Sequence, residues 1–236
     1  ECIGGTTISL DILEHAIKNN IHIITANKEL LSKKMELIEQ LLETNSSSSS
    51  SSQLCYEAAV GGGIPIINCL HNNLKNDNIT QITGILNGTT NYILSKMEKE
   101  QLEYQVVLKE AQELGFAETN PTNDIAGYDI RSKTMILARL SMGIRINLDD
   151  IPVCGIQNIK NVDFEYAKLL NSTIKFIGIC KKVGNKVYSY VSPMIVSSDN
   201  FISKIDGATN IIEIKSDNLK KSYLTGEGAG QLPTAN

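Results

Sequence analysis

The residues best suited to chemistry crowd into the stretch 111–133, AQELGFAETNPTNDIAGYDIRSK. There Glu118, Asp124, Asp129 and Lys133 surround a Gly- and Pro-punctuated loop that runs into a helix. Asp129 and Lys133 are four residues apart, so they share a helix face and can offer a carboxylate and an ammonium to one partner. The same spacing describes an ordinary exposed ion pair, the commoner outcome on spacing alone, and Asp124 at a helix start also reads as an N-cap. A second lysine, Lys28, follows the β-branched run IHIIT at 21–25. That puts it at the carboxyl end of a strand, where open α/β sheets bind their ligands; the other reading is a solvated surface lysine. His15, His22 and His71 have no partners at metal-ligand spacing, and Met135 and Tyr92 read as core.

Around these groups the chain alternates helical and strand patterns. Residues 6–19 carry Leu10, Ile12, Leu13, Ala16 and Ile17 at helical spacing and end at Asn19–Asn20, and a second helical pattern covers Leu30–Leu42. IHIIT lies between them as a buried strand. The seven serines Ser46–Ser52 have no apolar face and predict a solvated loop. LCYEAAV at 54–60 predicts a strand, which Gly61-Gly62-Gly63-Ile64-Pro65 breaks before a helix from Ile66 to Leu74. From Ile79, ITQITGILNGTT alternates as a strand, turns at Asn87–Gly88 and enters a helix near Thr89. Helices at 103–114 and 124–142 follow, the second stopped by Gly143, and then strands at 173–180, 186–196 and 210–215. This order, α/β first and α+β afterwards, predicts a nucleotide-type portion followed by a substrate domain.

Composition narrows the field. The 236 residues have a net charge of −4 with lysines scattered among carboxylates, which excludes the clustered cations that nucleic-acid binding needs. No apolar run approaches the roughly 20 residues of a membrane span, so no membrane partner is expected. Cys2, Cys55, Cys69, Cys154 and Cys180 form no CxxC pair, which predicts reduced thiols and a cytoplasmic setting rather than a zinc site or a disulfide framework. No GxGxxG stands between a strand and a helix, and Gly226-Glu227-Gly228-Ala229-Gly230 lacks the preceding strand–turn–helix context of a phosphate loop.

The spacing A-x3-G-F-A-x2-N-P-x2-D-I-x-G-x-D-x3-K over 111–133 is similar, position for position, to the signature of homoserine dehydrogenases. TANKELL (25–31), YEAAVGGGIPII (56–67), GILNGTTNYIL (84–94) and GEGAGQLPTA (226–235) resemble further blocks of that family in family order. The resemblance covers nearly the whole chain. It implies a truncated Rossmann-like nucleotide-binding portion (1–55), an α+β substrate-binding and dimerisation domain with a mixed sheet (56–223), and a return segment (224–236). It implies interconversion of homoserine and aspartate 4-semialdehyde with NADP or NAD, in a homodimer. Lys133 and Lys28 become the candidates for handling the hydroxyl proton, and Asp129 is counted with them among the catalytic residues. A lysine does this near neutrality if burial or a neighbouring cation lowers its pKa. Glu118 is assigned to the substrate ammonium with Asp124 and Asp129 in support, and Gly88 and Thr89 to substrate contact. Thr25, Ala26, Asn27, Lys28, Glu227, Gly228 and Ala229 are assigned to the cofactor, and Glu57, Val60, Gly62 and Ile64 to a sodium ion.

The sequence also departs from the family pattern, in which a strand, a glycine-rich loop and a helix precede TANKELL and a helix follows LPTAN. The expectation is weak NAD(P) binding and slow turnover by these 236 residues. Other readings are a fragment of an aspartokinase fusion and an inactive paralogue retained for dimerisation. A semialdehyde dehydrogenase would need a catalytic cysteine, and none of the five cysteines has a nucleophile's setting.

Overall fold

The computed structural model describes residues 1–45 and 52–235. Leu13, Ala16 and Ile17 form the buried stripe of helix α1 (Thr7–Lys18), and Leu30, Leu31, Met35 and Ile38 that of helix α2 (Lys28–Asn45), as helical spacing requires. Between them β1 (Ile23–Ile24) pairs in parallel with β2 (Leu54–Cys55), giving the expected α/β unit, but the buried strand expected over 21–25 is shortened to these two residues and only Ile23 of them is buried, Ile21 and Ile24 being exposed. Ser46–Ser51 lie outside the described residues. Ser52, grouped with them as solvated, is instead buried, its hydroxyl donating to the Ile17 carbonyl at 3.3 Å.

The strand expected at 54–60 stops after Cys55, and Glu57–Ala59 form a 3₁₀ turn. The cause is the Glu57 carboxylate, whose two oxygens accept the main-chain N–H groups of Ile67 and Asn68 at 2.8 Å each. These are orphan donors of the first turn of α3 (Ile66–Asn68), and satisfying them holds Glu57–Ala59, whose Glu and Ala are poor strand formers, in the turn. A π-type turn at Cys69–Asn73 continues α3 to its end.

The larger sheet contains β3 (Ile79–Ile85), β4 (Ser172–Val183), β5 (Lys186–Ser197), β6 (Thr209–Ser216) and β7 (Lys220–Glu227) in the order β5-β4-β3-β6-β7. All four pairings are antiparallel, and its parallel element is a single bridge between Val153 and Val191 on β5. Alternate residues face opposite sides. Phe176 and Ile212 enter the main core beneath the helices, whereas Ile177 and Ile211 join a smaller cluster with Ile85, Val196 and Ile202 on the other face.

Helices α4 (Gly88–Glu100), α5 (Tyr104–Glu113), α6 (Thr122–Ile125) and α7 (Tyr128–Met142) connect β3 to the rest, with α8 (Asn161–Leu169) before β4 and α9 (Gln231–Ala235) after β7. The helix expected over 124–142 is thus two helices. They part at Gly127, whose φ of 91° and neighbours Phe176 and Val153, 2.7 and 2.8 Å from where a Cβ would stand, admit only glycine. Gly143, at φ 63°, ends α7 as expected. Strand β7 and helix α8 were not legible as elements. Among the described residues no helix is long and apolar enough to cross a membrane.

Candidate active site

Because α7 starts at Tyr128, Asp129 sits in its first turn and Lys133 one turn later on the same face. Both side chains are buried, 3% and 8% exposed, so the reading as an exposed surface pair is set aside. Asp129 Oδ2 accepts from Lys133 Nζ at 2.8 Å and from Asn87 Nδ2 at 2.9 Å. Its Oδ1 pairs with Lys28 Nζ at 3.1 Å. Lys133 Nζ also donates to the Leu86 carbonyl at 2.7 Å. Lys28 opens α2 directly after β1, so two lysines from distant parts of the chain meet on one carboxylate.

Burial alone would raise the pKa of Asp129. The ammonium groups of Lys133 and Lys28, with hydrogen bonds from Lys133 and Asn87, overcome it and hold the carboxyl at about 2. Asp124 is displaced the other way, upward, by burial and then by the negative charge of Asp129. It is not an N-cap: it lies inside α6 and its Oδ1 accepts from Asn87 Nδ2 at 2.9 Å. Asn87 thereby holds the two carboxylates together, while its own Oδ1 caps α4 by accepting from the Thr90 N–H at 2.9 Å. The pKa of Lys28 is raised, chiefly by Asp129 and against the effect of burial. A lowered pKa, the condition set for a lysine base, is therefore not met at Lys28 in this arrangement.

A cavity of about 880 Å³ opens over these groups. Lys28, Lys133, Asp129, Asp124, Glu118, Gly88 and Thr89 line one part of it, and Ala26, Gly62, Glu227, Gly228 and Ala229 another. Glu118 is exposed at the rim. The Thr89 hydroxyl is engaged with the fold, donating to the Phe116 carbonyl at 2.6 Å. A neighbouring cavity of about 530 Å³ shares Ala26, Lys28 and Asp129 and adds Asn27, Gly4, Gly5, Lys33 and Arg131. Sequence reasoning missed Asn87 as a link and the loop residues Ala208 and Thr209 as a wall. Asn87 before a helix signals a cap, but nothing local shows that its amide also reaches Asp124 and Asp129.

Of the residues assigned to the cofactor, Thr25 and Asn27 are buried in the turn after β1. Thr25 Oγ1 donates to Glu1 Oε2 at 2.7 Å, and Asn27 Oδ1 accepts from the Leu30 N–H at 3.0 Å as the cap of α2. The Asn27 amide donates to the Gly5 carbonyl at 2.8 Å. Gly62 and Gly228 approach so closely that a Cβ on Gly62 would lie 2.6 Å from the Gly228 carbonyl carbon. Of the residues assigned to sodium, Glu57 is committed to the start of α3, Val60 and Ile64 are buried, and the Ile64 carbonyl accepts from the Ile66 N–H at 2.7 Å. Among the described residues no group of three or more His, Cys, Asp or Glu side chains is arranged to hold a metal ion.

The profile of the homoserine dehydrogenase family matches residues 65–236. The homoserine dehydrogenase of Bacillus subtilis is 39% identical over 236 residues, which are 100% of this chain and 53% of that protein. That of Methanocaldococcus jannaschii is 41% identical, with 98% of this chain and 66% of the relative aligned. The crystal structure of a homoserine dehydrogenase from Thiobacillus denitrificans superposes with a TM-score of 0.95 at 36% identity, over 100% of this chain and 53% of that one. A hyperthermophilic archaeal homoserine dehydrogenase mutant in complex with NADPH superposes with a TM-score of 0.82 at 26% identity, covering 99% and 67%. The chain spans about half the length of most of the curated relatives it matches, 53% for the B. subtilis protein. In sequence over its full length and in the path of its backbone, the chain belongs to the homoserine dehydrogenase family.

Proposed function

We propose that the chain carries the substrate-binding and proton-handling part of an NAD(P)-dependent homoserine dehydrogenase, interconverting L-homoserine and L-aspartate 4-semialdehyde in threonine and methionine biosynthesis. The observation that carries this reading is the convergence of Lys28 and Lys133 on buried Asp129, at the floor of a cavity that also holds Glu118 and Asp124.

An amino-acid substrate brings an ammonium and a carboxylate, and each needs a counter-charge on leaving water. Glu118 and Asp124 supply negative charge for the ammonium. The main-chain N–H groups of Gly88 and Thr89, at the positive end of α4, suit the carboxylate. The reacting oxygen then faces the two lysines. An ammonium has three donors, and Lys133 uses two of its own on Asp129 and Leu86, so each lysine retains an N–H for the substrate. Lys28, whose pKa Asp129 raises, acts as a fixed cation that stabilises negative charge developing on that oxygen. The proton moves between the oxygen and Lys133, with Asp129 holding both lysines in place.

The nicotinamide of NADP or NAD, when bound, supplies or accepts the hydride. The ring is assigned to the part of the cavity bordered by Ala26, Gly62, Glu227, Gly228 and Ala229, where Gly62 and Gly228 pack too closely on Gly228 and Asn210 respectively to admit side chains. Thr25 and Asn27 hold the adjoining turn in shape. The sodium assignment to Glu57, Val60, Gly62 and Ile64 rests on family resemblance and on the second lone pairs of the Glu57 carboxylate. The homodimer is assigned to the antiparallel sheet, on the face that carries exposed Tyr188 and lies beside exposed Phe201 of the 3₁₀ turn Phe201–Lys204. The division into 1–55, 56–223 and 224–236 is kept, with β7 running from the second part into the third.

The test is calorimetric titration of the purified chain with L-homoserine, alongside nucleotide-linked homoserine oxidation with each cofactor. Saturable binding of homoserine supports the reading. Absence of both binding and turnover overturns it.

A further inference from the structure

Lys175 lies within β4, flanked by Ile174, Phe176 and Ile177, and is wholly buried at 0% exposure. A lysine so enclosed loses its hydration, and an apolar side chain of similar volume would fill the same core space without that loss. Its Nζ donates to the Ile205 carbonyl at 2.7 Å and to Asp206 Oδ1 at 3.1 Å. Asp206 Oδ2 also pairs with Lys99 Nζ at 2.8 Å, from α4.

Both partners of Lys175 belong to the segment 205–209, the loop that leads out of the 3₁₀ turn Phe201–Lys204 together with Thr209, the first residue of β6. The loop is gripped a second time by buried Asn91 of α4, whose Nδ2 faces the carbonyls of Ile205, Gly207 and Thr209 at 3.2, 2.9 and 3.3 Å. The Gly207 N–H donates to Ser95 Oγ at 3.3 Å. The other side of the loop is a wall of the active-site cavity, through Ala208 and Thr209. The Ala208 carbonyl lies so near Gly88 that a Cβ there would be 2.6 Å from it. The anchored loop therefore abuts the end of α4 assigned to the substrate carboxylate.

We propose that Lys175 is a positioning residue of the active site, fixing loop 205–209 from within the core and so setting the width of the cavity beside Gly88 and Thr89. The proposal rests on the homoserine reading of that cavity. A loop held only by its own backbone has many conformations near in energy, whereas a charged, desolvated anchor with two partners selects one.

The experiment compares the unmutated chain with Lys175→Met and with Lys99→Met, which removes only the exposed arm on Asp206. Amide hydrogen exchange of 205–209 and calorimetric titration with L-homoserine are measured on each. In Lys175→Met, protection is expected to fall at 205–209 but not across the sheet, with homoserine affinity reduced about tenfold or more. Lys99→Met is expected to change neither. Unchanged loop protection, or a loosened loop with unchanged affinity, overturns the proposal. If Lys175→Met does not fold, Asp206→Asn carries the same test from the half-exposed side of the pair, with the same two outcomes deciding. An unmutated chain that binds no homoserine strikes the functional reading itself. Normal binding in both the unmutated chain and the variant strikes only the role of Lys175.

Discussion

Asp129→Asn keeps the shape of the side chain and removes the charge on which both lysines depend. At neutral pH the carboxylate is ionised and stabilised, since the folded protein holds its pKa at about 2 against an ordinary value of 3.8. At about 1.4 kcal/mol per pH unit this difference corresponds to roughly 2 kcal/mol of stability. The group is only 3% exposed, so solvent screening takes little from that figure. The substitution also leaves the Lys133 ammonium buried beside an amide that presents its own N–H donors, which carries the expected loss to about 3 kcal/mol. The sign of the pH dependence follows from the direction of the shift. A carboxyl whose folded pKa is lowered stabilises above its unfolded pKa, and that stability is lost as the pH falls through the folded value. The stability gap between the unmutated chain and Asp129→Asn should therefore be constant from pH 7 to about 5 and shrink below about 4. Urea unfolding of both proteins across that range measures it. Equal stability at pH 7, or a gap that persists unchanged as the pH approaches 3, would refute the reasoning, because Asp129 would then not be the ionised hub of the site.

Lys133→Ala is expected to lower turnover by about 10²-fold or more with the helical signal in circular dichroism retained, as loss of a proton-handling group requires. The same assay on Lys28→Ala is expected to show a loss of about 10²-fold, that of a fixed electrostatic donor to the reacting oxygen. Glu118→Gln, at the exposed rim, should weaken homoserine binding by about five- to tenfold while leaving kcat within about twofold, read from the dependence of rate on homoserine. Gly228→Ala would place a Cβ 1.9 Å from Asn210 Nδ2, an amide that is buried and has no hydrogen-bond partner among the described residues. The loop must shift, and a loss of about 1–3 kcal/mol in urea unfolding is expected together with weaker cofactor binding.

Periodicity alone was enough to place α1, α2, α4, α5 and most of the larger sheet, because burial of one face imposes a 3.6- or two-residue rhythm on each segment. Asp129 and Lys133 were legible as a pair for the same reason, and Gly143 as a helix stop, since both features act over a single turn. The errors lie where a distant group overrides a local preference. LCYEAAV reads as a strand from its apolar content, yet Glu and Ala are poor strand formers and the Glu57 carboxylate accepts from the N–H groups of Ile67 and Asn68, so the chain turns after Cys55. The helix over 124–142 breaks at Gly127 because Phe176 and Val153 occupy the space a side chain would need. Ser52 reads as solvent-facing yet ends beneath α1.

The chemical inventory of the site, lysines, carboxylates and glycines at family spacing, is a property of residue types and short intervals and can be recognised in one dimension. Whether Asp129 is an exposed partner or a buried hub, and whether Lys28 is free or held charged, depends on groups 101 and 42 positions away in the chain, Lys28 and Asn87, brought within 3.1 and 2.9 Å. Desolvation and Coulomb interaction act through space, so the pKa of Asp129 and the grip of Lys175 on a loop 30 residues away exist only once the chain has closed on itself.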